Sequence, residues 1–278
     1  WSLLCISESV CIPQSSPQTT RSSGESHQRK NISNHPQPYN NRDREAVELP
    51  LKASLFSFSF QLHQFWFSWL LLYTILYVGT LNLWLIRIPG AAAEVSHITT
   101  VYGLSQTAAL VLAPMAGSFM DFCLSSASKE KDPDKRKHLM IKAGFWPMFI
   151  TTLTQAAVQV LKLFNTWIAV YASIAIVTIL RALLVAVGTA FIPIRFPASH
   201  FIRLLGILST VSSLFVLLQF PLFIWESRSE NDAIHVNIFE FFCLVIAFVN
   251  PLHLLVNPLQ RYFIRKDNEA VKELQQRI

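Results

Sequence analysis

Apolar residues along this chain gather into six long runs, and the stretches between them collect charged, small and proline residues. The runs are Phe65–Ile86, Val101–Phe122, Ala143–Leu163, Trp167–Phe191, Leu204–Trp225 and Val236–Val256. A helix rises about 1.5 Å per residue, so roughly 20 residues cross a ~30 Å hydrocarbon layer, and each run meets that length. Inside a bilayer the backbone must satisfy its own hydrogen bonds, which a helix does and an open strand does not. The pattern predicts an all-α polytopic membrane protein with six transmembrane helices.

The flanks differ in kind. Residues 1–53 are rich in Ser, Pro, Gln, Asn and charge, a composition that cannot bury enough apolar surface to fold, and they are expected to form a disordered cytoplasmic segment. Residues 54–257 form the predicted bundle, and 258–278 a cytoplasmic tail. The run Leu55–Phe60 (LFSFSF) alternates with period two, but it leads directly into an apolar run and is expected to lie along the inner interface. Trp1 stands where a start Met would, and no basic n-region precedes the short WSLLCISESVCI run, so the expectation is a chain that continues a longer upstream product.

Orientation follows from the basic residues. Six precede the first run (Arg21, Arg29, Lys30, Arg42, Arg44, Lys52) and six follow the second (Lys129, Lys131, Lys135, Arg136, Lys137, Lys142). Arg195 and Arg203 flank the fourth-to-fifth turn, and Arg261, Arg265, Lys266, Lys272 and Arg277 lie in the tail. Only Arg87, Lys162 and Arg228 fall on the other side. Positive charge stays cytoplasmic, so both termini are expected in the cytosol, in an integral multi-pass protein of the plasma membrane. Topology accounts for the formal charge of +6, and the basic residues form no nucleic-acid-reading surface.

Four cysteines (Cys5, Cys11, Cys123, Cys243) make no CxxC pair, and eight histidines show no ligand spacing. No phosphate-binding loop or dinucleotide fingerprint occurs. The expectation is no metal, no cofactor and no enzymatic chemistry; a membrane hydrolase would want a paired nucleophile and base, whereas His97 and His253 lie at helix ends.

Arg181 falls near the middle of the fourth run. A charge there costs ~2.5–3.5 kcal/mol on insertion scales, so it must face a cavity or a partner. Glu240 is expected about 6 Å inside the outer end of the sixth run, some ~15 Å in depth from Arg181, too far to pair with it. Helix carbonyls, a substrate carboxylate or an upstream residue remain as partners, and so does a pure packing role. The first run carries Tyr73, Tyr77, Gly79, Thr80 and Asn82, and Val187-Gly188-Thr189 in the fourth repeats its Val78-Gly79-Thr80. Glycine-interrupted helices at corresponding positions of inverted repeats point to a transporter's site. Gln106 and Gln219 are polar groups that need partners in a dry bundle, with interhelical hydrogen bonding as the plainer account. Pro114, Pro147, Pro221 and Pro251 should bend the helices that contain them.

Gly117-Ser118-Phe119-Met120-Asp121 ends the second run ahead of the basic loop. It resembles the G-x-x-x-D signature of facilitator-type transporters, in which the carboxylate caps a neighbouring helix and pairs with basic residues; Phe122 stands where that signature often has Arg or Lys. The strings LYTILYVGTLNLWL, VYGLSQTAALVLAPMAGSFMD, LRALLVAVGTAF and FPASHFIRLLGILSTVSSLFVLLQFPLF resemble, in order, helices seven, eight, ten and eleven of solute carrier family 43 in the major facilitator superfamily. The resemblance implies that the six helices form one half of a major facilitator fold, with an N-terminal six-helix half missing. It also implies a uniporter for a small neutral solute: a large neutral amino acid, with a purine nucleobase as the alternative. A non-transporting membrane interaction protein is the reading from another class. Arg181 matches a family arginine, and Tyr77, Gly79 and Asn82 match a family tyrosine–glycine–asparagine pattern. The expected substrate contacts are Tyr77, Gly79, Asn82, Gln106, Arg181 and Gly188, with Gly117 and Asp121 as a conformational latch. The loop from Arg87 to Thr100 is shorter than usual in that family.

Overall fold

Ser57 decides where the first long helix begins. Its hydroxyl accepts from the Phe60 backbone N–H, a cap for one of the orphan donors of a helix N-terminus. The period-two LFSFSF run is therefore a short helix (α1, Leu51–Leu55), a cap and the first turn of α2 (Phe58–Ile86), seven residues earlier than the apolar run alone suggests. The structure, a computed structural model, describes residues 51–88 and 94–255, and among these every regular element is helical. The expected disordered segment, the tail and part of the loop after Arg87 lie outside the described residues. The fold is all-α and polytopic.

After α2 come α3 (Val95–Thr107), α4 (Ala109–Ser128), α5 (Pro133–Ala143), α6 (Phe145–Leu161) and α7 (Trp167–Arg195). A 3-10 turn at Ala198–His200 precedes α8 (Phe201–Val216), α9 (Gln219–Glu226), α10 (Glu230–Ala247) and α11 (Val249–Leu255). Five continuous or nearly continuous spans are long and apolar enough to cross a membrane: Phe58–Ile86, Ala109–Ser128, Trp167–Arg195, Phe201–Glu226 and Glu230–Leu255. The remaining predicted run is realised as α6, which at 17 residues sits at the short end of the crossing range.

Prolines mark the interruptions. Pro147, Pro221 and Pro251 are each the third residue of a helix that restarts after a break, at Gly144, at Leu217 and Leu218, and at Phe248. A proline has no N–H for the carbonyl four residues back and its ring clashes there, but in a first turn that N–H has no partner to lose. Pro114 is different: it is the sixth residue of α4, inside the helix and past the break at Ala108. Pro193, which carried no weight in the sequence, lies within α7 without ending it.

α2 and α7, each 29 residues long, form the interior of the bundle. One apolar core gathers Trp66, Leu70, Met148, Phe191 and Leu204; a second, further along α2, gathers Tyr73, Tyr77, Trp84, Val158 and Val177. The outward residues of the other helices stay apolar, among them Leu110, Val111, Met115, Leu214, Phe220 and Phe242. Such a surface suits hydrocarbon and would be a liability in water. Buried polar pairs stitch the helices together. Gln64 donates to the Ser68 and Ser212 hydroxyls, both at 2.9 Å, and Trp66 Nε1 donates to Thr152 Oγ1 at 2.8 Å.

Candidate functional site

Arg181, midway along α7, is half-buried and does not point into lipid alone. Its Nη1 donates to Gln106 Oε1 at 2.7 Å, a charge-assisted hydrogen bond from α7 to α3. Gln106 Nε2 lies 3.3 Å from Ser105 Oγ and 3.5 Å from Thr178 Oγ1, and the Thr178 hydroxyl donates to the Ile174 carbonyl at 2.8 Å. Tyr102 stands beside the same guanidinium. Residues 102, 105 and 106 of α3 thus meet 178 and 181 of α7, spacings of three and four that line up one face of each helix. A guanidinium has five N–H donors, and Gln106 engages one of them.

The other expected substrate contacts divide into two groups. Asn82 is exposed and accepts from Thr99 Oγ1 at 3.4 Å, so α2 and α7 both reach α3, at Thr99 and Gln106. Gly79, one turn earlier on α2, is exposed, and a Cβ there would meet only the Phe223 ring at 3.9 Å. Tyr77 points the other way: it is buried, with its hydroxyl 2.7 Å from Ser173 Oγ in the α2–α7 packing. Gly188 is buried too. A Cβ on it would run into the Phe67 ring, and its carbonyl lies 2.8 Å from His63 Nε2. The repeated Val-Gly-Thr triplet therefore occupies two unlike environments, one open and one sealed by a close helix crossing.

Gly117 has open space around it, and Asp121 is exposed with no hydrogen bond or ion pair among the described residues. Gln219 opens α9 half-buried. A cavity of about 510 Å³ lies near the C-terminal end of α4, lined by Phe122, Cys123, Lys142, Phe145, Trp146 and Leu255 among others, and Arg181 is not part of it.

A second polar cluster was not singled out in the sequence. Lys162, just past α6, places Nζ 3.1 Å from both carboxylate oxygens of Glu226 and 3.1 Å from Thr80 Oγ1. Arg87 adds Nη1 at 3.8 Å from the same carboxylate and donates from Nη2 to the Glu226 carbonyl at 2.9 Å. Arg87 and Lys162, counted as loop charges above, are thus largely buried ion-pair partners. Glu240 is also corrected: α10 starts at Glu230, so Glu240 stands about 15 Å along it, near the middle of the Glu230–Leu255 span rather than near its end. Its electrostatic neighbours are Lys162 and Glu226. The signal in the sequence was the spacing of Gln155, Gln159 and Lys162, one face of a helix that otherwise reads as apolar.

With this geometry in view, likeness to known proteins becomes informative. Over 215 residues, the chain is 29% identical to equilibrative nucleobase transporter 1 of Bos taurus, which covers 73% of this chain and 42% of that protein. The chain resembles a transporter. It spans about two-fifths of the length of that curated relative. No protein-family model matches the chain, and no solved structure matches it.

Proposed function

We propose that this chain is one helical half of a membrane carrier that moves a purine nucleobase by alternating access, with Arg181 and Gln106 on the substrate-facing wall. The observation that carries the reading is the likeness to a nucleobase transporter across most of the chain. It reverses the order of substrates expected from the sequence, where an amino acid ranked first. The chemistry of the pair is compatible: base edges alternate donors and acceptors, and a guanidinium held against a side-chain amide offers both kinds of group in one small area. Membership of solute carrier family 43 and a half of the major facilitator fold belong to the same proposal. So do both termini in the cytosol, a plasma-membrane location, Asp121 as a latch and a second six-helix bundle opposite the α3–α7 face. Asn82, linked to α3 through Thr99, and Gly79, exposed one turn earlier on α2, extend the same wall; Tyr77 and Gly188 support it from behind. Movement of the bundles exchanges the side on which the wall is exposed, and no covalent step is involved.

An amino-acid substrate is the second reading, because the donors of Arg181 that Gln106 leaves open suit a carboxylate. Uptake of labelled adenine and labelled leucine by the protein as its cell produces it, compared with Arg181→Ala at matched surface abundance, separates the possibilities. Saturable adenine uptake that Arg181→Ala abolishes is the expected result. Leucine uptake inhibited by other free amino acids but not by their esters would restore the amino-acid reading. Transport of neither would favour a non-transporting interaction protein.

A further inference from the structure

The bundle interior contains a carboxylate that the ion pairs around it do not serve. An ammonium has three N–H donors. Lys162 donates two of its own to Thr80 Oγ1 and Glu226 Oε2, each at 3.1 Å, its Nζ also lies 3.1 Å from Glu226 Oε1, and Arg87 adds a second cation to Glu226. Glu240 is 1% exposed, and neither of its oxygens has a hydrogen-bond partner among the described residues. Other unpartnered groups share this interior. Gln155 (0% exposed) and Gln159 (1%) leave both ends of their amides unpaired, one turn apart on α6. Asn237, one turn before Glu240 on α10, donates to the Gln159 carbonyl at 3.1 Å and leaves its own Oδ1 unpaired. The Tyr73 hydroxyl on α2, an electrostatic neighbour of Glu240, is unpaired as well.

Each unpaired buried polar atom costs about 1–3 kcal/mol and a bare carboxylate more, so a partner for this group of atoms is strongly favoured. The unpaired acceptors are all oxygens, from one carboxylate, three side-chain amides and a phenol. Hard oxygen donors of this kind suit a small hard cation and offer no soft ligand to a transition metal. The titratable and charged groups facing Glu240 are Tyr73 from α2, Lys162 from the end of α6, Glu226 from α9 and Cys243 on its own helix. From α11, His253 instead neighbours His63.

We propose that Glu240, framed by Gln155, Gln159, Asn237 and Tyr73, binds one small monovalent cation, a proton or a sodium ion, in the interior of the bundle. Either supplies the single positive charge or donor that Lys162 and Arg87, committed to Glu226, do not. The site is separate from the Arg181–Gln106 wall, and its occupancy is read by stability rather than by uptake.

The test follows thermal unfolding of the full chain in lipid nanodiscs by tryptophan fluorescence. Sodium chloride is compared with choline chloride at equal ionic strength and alkaline pH, and alkaline with mildly acidic pH in choline. A rise of about 2–4 °C in the midpoint is expected with sodium if sodium is the occupant, or on acidification alone if it is the proton. Glu240→Gln should abolish the responsive arm, and Gln159→Leu, which leaves the carboxylate in place, should reduce it by half or more. A wild-type midpoint indifferent to both sodium and pH would overturn the proposal. So would a response that survives Gln159→Leu in full, an outcome that remains readable if Glu240→Gln does not fold.

Discussion

Two charged clusters sit in one bundle and are treated in opposite ways. Around Glu226, two cations converge on one carboxylate that is 1% exposed, and the ends of three helices, α2, α6 and α9, are tied at a single point. Around Arg181, one cation meets a neutral amide and the Tyr102 side chain on a half-open face, with donors to spare. A closed cluster holds structure because breaking it strands a charge away from water. An open one leaves hydrogen-bonding capacity for something that comes and goes. Burial and partner count, rather than the presence of charge within a membrane helix, therefore separate the structural cluster from the candidate site.

The sharpest test of the contrast is Glu226→Ala, which would leave Lys162 and Arg87 unpaired in the bundle. It should cost about 3–5 kcal/mol of stability, whereas Arg181→Ala, read by the same denaturant titration in detergent, should cost less than about 1 kcal/mol. Comparable losses would erase the distinction. Next in size, Arg181→Lys keeps the charge but loses the planar fork. Substrate affinity should fall by roughly 10- to 150-fold, the equivalent of ~1.5–3 kcal/mol, at unchanged surface abundance. Reduced abundance with normal affinity would place Arg181 among the structural ties.

The two Val-Gly-Thr triplets allow a similar comparison between glycines. Gly188→Ala forces a methyl against Phe67 and should destabilise by about 1–3 kcal/mol. Gly79→Ala meets only Phe223 at 3.9 Å and should be neutral or stabilising by about 0.4–1 kcal/mol. Any effect of Gly79→Ala on uptake would then report on substrate access. A similarly small effect is expected from Tyr77→Phe, which removes the hydrogen bond to Ser173: about 1 kcal/mol of stability, read in the same titration, with substrate affinity unchanged. A fall in affinity would bring Tyr77 back to the substrate wall.

The helical, membrane-spanning character was legible because apolar runs of this length have few alternatives in a bilayer. Helix ends were less so. Ser57 and Ser229, whose hydroxyls accept from Phe60 and Asp232 backbone N–H groups, start α2 and α10 well before their apolar runs, since a cap depends on one side chain and not on average hydropathy. That error carried Glu240 toward a helix end. Arg181 and Gln106 were each flagged alone, but their pairing was not, because residues 75 apart in sequence meet only through the packing of α3 on α7. Lys162 and Glu226 were overlooked for a related reason: at the ends of apolar runs they read as solvated loop charges, and only the bundle shows that they face each other. Gly188 looked like Gly79 because a triplet conveys backbone permissiveness and nothing about the ring across from it.

The breaks between the shorter helices also have a mechanical consequence. α2 and α7 run unbroken for 29 residues each, whereas α3–α4, α5–α6, α8–α9 and α10–α11 are pairs of shorter rods joined at one or two residues. Bending stiffness falls where the hydrogen-bond ladder is cut, so deformation of this bundle concentrates at those joints. The two continuous rods act as a chassis, and the four jointed pairs around them supply the compliance. Arg181, fixed to one rod but bonded to Gln106 just before the α3–α4 joint, spans the boundary between stiff and yielding parts.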